Sequence, residues 1–307
     1  MSETVLSGIV LGHNAFFGVD HLSAARGSER AAYFADPGRV LGVIREARAH
    51  GAGGMMMSTH ERAAPIAELI SADPLLSRDL RVYPLLPYVQ KYVTRSNEVG
   101  MVNVVLEMLS GTTVSQKLNL LVKGSVAFLS KDFNAVLAAL MQMELKPFSK
   151  LNVPAIFLHD AFTDLALAFG LKQVFEFYLD ETRKSFAAQG AFATKNLPFL
   201  LERFKAWGLP KPVVMTHFNK IGYHMNPDRV SCERAAAEHD ASILVMGSLA
   251  SGYIEPNEAY AYLSRIAHVD GVVVGVSKSE HIHETFAAIA KHLPRLVATP
   301  VAIGAAV

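Results

Sequence analysis

DPGRVLGVIREARAHGAGGMMMSTHE, residues 36 to 61, holds one unit of the pattern from which most of the chain is built. Asp36 and Pro37 are start signals for a helix, and Gly51 is a stop. The apolar run GGMMM then reads as a buried strand, and it ends in the polar tail Ser58, Thr59, His60 and Glu61.

The same unit recurs on both sides. Apolar runs suited to strands are GIVLG (8–12), GGMMM (53–57), RVYPLL (81–86), PAIFLH (154–159), GAFAT (190–194), PVVMT (212–216), SILVMG (242–247) and GVVVGV (271–276). Amphipathic stretches with helix punctuation fall between them, such as NLPFLLERFKAWGLPKP, NPDRVSCERAAAEHD, EPNEAYAYLSRIAHVDG and KSEHIHETFAAIAKHL. Alternation of this kind predicts a parallel sheet with crossover helices, and eight strands predict a closed (β/α)8 TIM barrel. A single domain is expected over 1–307, with a helical insertion over 89–150 between strands 3 and 4. Three helical patterns there, 96–109, 113–130 and 132–146, fill a connection that ordinarily takes ~2–6 loop residues before one helix. Their apolar residues predict extra packing on the barrel, a lid, or a surface for a homodimer through 96–146. The methionines of GGMMM read as adaptable core filler.

The formal net charge of +1 and the mixing of both signs argue against a nucleic-acid or anionic-membrane partner and for a small-molecule substrate. Cys232 is the single cysteine, so an intrachain disulfide and a thiolate zinc site are excluded. The N-terminus has no basic signal region, and no apolar run reaches the ~18 residues of a membrane helix, so a cytoplasmic protein is expected. Neither a GxGxxG nor a Walker A sequence is present.

Four of the runs end in or near histidine: His13, His60, His159 and His217. In a TIM barrel the C-terminal strand ends share one mouth, and that mouth holds the active site. A divalent metal such as Zn, Fe, Mn or Ni on these four is therefore one expectation, serving lyase, isomerase or hydrolase chemistry. His159, Asp160, Glu61 and Lys220 would act as acid, base or electrostatic aid. Alternatives are histidines that bind a polar substrate, metal-free acid and base catalysis, ordinary packing, and a non-catalytic scaffold. Asn196, Ser248, Ser277 and Lys278 reach the same rim.

The later strands resemble the aldo-keto reductase superfamily, TIM barrels that reduce carbonyls with NADPH. AIFLHDAF is similar to that family's fourth strand and would make His159 the residue that orients a substrate carbonyl. GAFATKN resembles the fifth, implying that Asn196 contacts the nicotinamide amide. ILVMGSLASGYIEPNEA and VVVGVSKSEHIHETFAAI resemble the seventh and eighth, implying cofactor contacts at Ser248 and a phosphate near Ser277, Lys278 and His281. The family's aspartate after strand two, its tyrosine acid and its lysine after strand three have no counterpart: Ser58, Thr59 and His60 stand at the first position, and Pro87 and Tyr88 follow strand three. An NADP-linked enzyme of this type would need a replaced acid, His60 or Tyr88.

Overall fold

The computed structural model describes residues 5–19, 23–87 and 131–298. Eight parallel strands close in sequence order: β1 (Gly8–Leu11), β2 (Gly54–Ser58), β3 (Arg81–Leu86), β4 (Ala155–Leu158), β5 (Gln189–Thr194), β6 (Val213–His217), β7 (Ser242–Met246) and β8 (Val269–Val274). The barrel closes where β1 meets β8, with Gly8 opposite Gly271 and Leu11 opposite Val274. Every strand run expected from the sequence is a strand. The last one starts at Val269 because Ile243 pairs with that residue across a bulge, and it ends before Gly275–Ser277 leave the sheet.

Among the described residues eleven α-helices surround the strands. Around the first two strands these are α1 (Ala24–Tyr33), α2 (Pro37–Ala49), α3 (Ala63–Ala72) and α4 (Pro74–Asp79). α5 (Lys131–Leu145) precedes β4, and α6 (Asp160–Ala168) and α7 (Lys172–Phe186) follow it. The outer layer is completed by α8 (Leu197–Trp207), α9 (Arg229–Glu238), α10 (Pro256–Leu263) and α11 (Ser279–His292). Asp36 caps α2 by accepting the Gly38 N–H, and Asn196 caps α8 by accepting the Phe199 N–H. Of the expected insertion, the third helical pattern is α5; the patterns at 96–109 and 113–130 lie outside the described residues.

Alternation along the strands divides two cores. Val10, Met56, Tyr83, Phe157 and Met215 are buried in one cluster, while Met55, Met57, Ile156, Phe192 and Val214 are buried in a larger one with residues of the surrounding helices. Consecutive methionines of one strand thus serve opposite faces, as a two-residue period requires. A side chain at Gly54 would approach the Tyr83 ring to 2.6 Å, so glycine there is demanded by the filling of the barrel. No helix among the described residues is long and apolar enough to cross a membrane.

Candidate active site

The C-terminal mouth is where the polar tails of the strands arrive, and its two sides differ in chemistry. After β1 and β2 the environment is apolar. The His60 ring stacks on Phe17 with centroids 4.7 Å apart, and the His13 ring lies tilted against the same phenyl at 5.2 Å. A phenyl ring therefore contacts both imidazoles. Burial drives the His13 pKa down to about 4, against a backbone hydrogen bond with Met56 that favours its charge, and nearby His159 and His60 add to the lowering. Among the described residues the Nδ1 of His13 is buried and has no hydrogen-bond partner. Burial also lowers His60, opposed by Glu61 and assisted by Arg62. The Nδ1 of His60 accepts the Arg62 N–H at 3.0 Å, which in a neutral ring leaves the proton on Nε2. Glu61 is exposed.

After β4 and β5 the mouth is polar and connected. His159 is the N-cap residue of α6, and its Nδ1 lies 2.6 Å from Asp160 Oδ1. The other carboxylate oxygen of Asp160 is 3.3 Å from Lys195 Nζ. Burial pushes the Asp160 carboxyl up, yet the hydrogen bond and charge of His159, together with Lys195, hold it well below the usual carboxylate range. One helical turn later, Asp164 accepts from Thr194 Oγ1 and from the Lys195 N–H at 3.1 Å. There burial dominates and raises the carboxyl. Thr194 Oγ1 in turn accepts the Asn196 N–H at 2.9 Å, so β5, its following loop and α6 form one hydrogen-bonded unit.

The remaining candidates are distributed around this rim. Asn196 spends its Oδ1 on the cap of α8. Ser248 is buried, 3.5 Å from Tyr260 Oη. Ser277 is partly buried and Lys278 exposed, just before α11, whose N-terminus has no side-chain cap. Lys220 pairs on the surface with Glu258 of α10. His217 packs against Gly247, where a side chain would meet its Cδ2 at 2.5 Å, and its ring centroid is 5.2 Å from that of His224. His281 is exposed on the first turn of α11, and Tyr88 lies outside the described residues.

Asp164 was not legible as a site residue by strand-end reasoning, because it sits inside a helix. Its signal is the spacing in HDAFTD, where Asp160 and Asp164 are four apart and share a helix face. Glu144 escaped for another reason: it belongs to α5, yet it is buried and accepts from Thr59 Oγ1 at 2.6 Å, beyond the end of β2. Only a tertiary contact brings it there.

No protein-family model and no curated protein sequence matches the chain. Solved structures do. A Pseudomonas aeruginosa protein assigned to the aldo-keto reductases overlays with a TM-score of 0.60 at 14% identity, over 93% of this chain and 90% of that one. An aldo-keto reductase from Bacillus halodurans, in its holo form, gives 0.52 at 10% identity over 96% and 94%. Aldose reductase from Giardia lamblia gives 0.52 at 9% identity over 93% and 88%. At such identities the likeness shows the fold, a closed eight-stranded parallel barrel similar to those of aldo-keto reductases.

The expectation of a metal-dependent lyase, isomerase or hydrolase is corrected by these findings. Among the described residues no three His, Cys, Asp or Glu side chains group as metal ligands, and the similar barrels are reductases. The physical reason is visible in the partners of His13, His60, His159 and His217. Phe17 packs on the first two, the Nδ1 of His60 accepts from Arg62, and Gly247 and His224 pack on the fourth, so among the described residues these rings do not gather with His159 around one point.

Proposed function

We propose that the chain is an NADP-linked oxidoreductase that interconverts a small carbonyl compound and its alcohol at the C-terminal mouth of the barrel. The observation that carries this reading is the order of polar groups after β4 to β8: His159, Asn196, Ser248, then Ser277 and Lys278 at the start of α11. That order is the one the aldo-keto reductase resemblance assigns to a substrate-orienting histidine, a nicotinamide contact and a phosphate site.

The residues fit such a cofactor. The first turn of α11 offers backbone N–H groups with no side-chain cap, a position suited to a phosphate, although Glu280 adds one opposing charge. Lys278 is exposed beside it, and among the described residues no atom lies within 4 Å of where a side chain at Gly275 would begin. Asn196, with its Oδ1 engaged, retains an amide N–H2 that can donate to a carboxamide oxygen. NADPH, when bound, supplies a hydride to the carbonyl carbon. The task left to this chain is to bind the carbonyl oxygen and provide its proton, and the family's tyrosine is not there to do so.

The test is turnover of a panel of small aldehydes and ketones by the full chain with NADPH or NADH. Oxidation of NADPH dependent on one of the carbonyls, and slower with NADH, is the expected result. Lack of turnover with every compound, together with no NADPH binding at millimolar concentration, would overturn the reading.

A further inference from the structure

At the mouth His159, Asp160 and Lys195 stand in one line of contacts. We infer that His159 is the proton-transferring residue, and that Asp160, tethered by Lys195, is a positioning residue that fixes its proton on Nδ1 and leaves Nε2 for the substrate oxygen. The inference rests on the oxidoreductase reading for its redox partner, but not for the hydrogen bonding of the ring.

The geometry decides between two arrangements. Nδ1 of His159 has two neighbours able to hydrogen-bond, Asp160 Oδ1 at 2.6 Å and the Ala161 N–H at 3.2 Å. If Nδ1 accepted from Ala161, its lone pair would face the carboxylate oxygen at 2.6 Å with no proton between them, which is repulsive. With the proton on Nδ1, that contact becomes a short charge-assisted hydrogen bond. The Ala161 N–H loses nothing, since Asp160 Oδ1 also lies 3.0 Å from it. Lys195 Nζ on the second oxygen holds the carboxylate in the ionised form that this arrangement requires. Charged or titratable neighbours on adjoining elements are His13 after β1, Asp164 on α6 and Lys195 after β5.

A ring held this way works in both directions. Neutral, its Nε2 is an acceptor and takes the O–H of an alcohol. Protonated, its Nε2–H donates to a carbonyl oxygen, and Asp160 balances the imidazolium charge. In reduction the C=O π pair moves to oxygen as the carbon receives hydride. The oxygen then forms its O–H bond with the Nε2 proton, and the N–H electron pair returns to the ring. Carbonyl, hydride and proton together make the alcohol.

The experiment is a long-range 1H–15N correlation on the histidine rings of the uniformly labelled, cofactor-free full chain, with His159 assigned by comparison with His159→Gln. Wild-type protein is expected to show the neutral ring protonated on Nδ1. In Asp160→Ala the Ala161 N–H is the remaining partner, and the ring is expected to switch to the Nε2-protonated form. With a turned-over carbonyl, the same variant should lose about 10²-fold or more in kcat while KM changes by about twofold or less. An Nε2-protonated ring in wild type would overturn the inference without any variant, as would an unchanged tautomer and kcat in Asp160→Ala. A tautomer switch in a protein that binds no NADPH would uphold the dyad and remove the oxidoreductase reading instead.

Discussion

His13 and His159 both lie just past barrel strands, after β1 and β4, yet they occupy opposite kinds of environment. His13 is kept neutral by burial, with Phe17 against it and its Nδ1 unpartnered among the described residues. His159 is held by a carboxylate that is itself held by a lysine. A histidine's surroundings at a TIM-barrel mouth are thus set by its neighbours: the β1–β2 side places an aromatic ring against it, and the β4–β5 side places a carboxylate and a lysine in line with it.

That contrast breaks most sharply at the proton-transferring residue. Replacing His159 by Gln should lower kcat by ~10²–10⁴-fold with NADPH affinity kept, whereas His13→Gln should leave kcat far less affected. Parallel steady-state assays on the two variants check this, and equal losses would erase the distinction between the two sides.

A smaller effect is expected on the scaffold of the polar side. Asp164→Ala removes the acceptor of Thr194 and of the Lys195 N–H, leaving buried donors unpaired, and should cost about 1–3 kcal/mol in urea unfolding. A change within error would mean that the β5–α6 unit does not stiffen the site.

The β1–β2 side has a pH signature. With the His13 pKa lowered from 6.5 to about 4 in the folded protein, the unfolded chain takes up the proton first. Stability from this residue is therefore present above pH ~6.5 and is lost as pH falls toward 4, by about 2 kcal/mol across that window. Unfolding curves at pH 7 and pH 4.5 should show His13→Gln losing correspondingly less than wild type. Equal losses would place His13 in contact with water.

The smallest effect belongs to Lys220. Its pair with Glu258 joins two side chains that are each about half exposed, and Lys220→Ala should change stability by ~0.5 kcal/mol or less. A large loss of turnover in that variant would restore the acid–base role that the sequence alone assigned to it.

The barrel was legible in the sequence because a strand buried on both faces needs an uninterrupted apolar run, and residues such as Met55 to Met57 or Val213 to Met215 can hardly be anything else. Helix ends were legible for the same local reason: Asp36 and Gly208 act on their own backbone, whereas the cap made by Asn196 is seen only in the structure. The rim was legible only as a set of residues. Strand ends determine which side chains arrive, but not what packs against them, so Phe17 could not be seen to contact both His13 and His60. The grouping of histidines as metal ligands failed there. Glu144 was illegible for a related reason, since its place beside Thr59 depends on how α5 docks.

The central claim is tested most directly by calorimetric titration of NADPH into wild type, His159→Gln and Lys278→Ala. The account predicts saturable one-to-one binding to wild type, equal binding to His159→Gln, and binding weakened about tenfold in Lys278→Ala, as loss of one phosphate contact would give. No binding to wild type, or binding indifferent to Lys278 and abolished at His159, would contradict it.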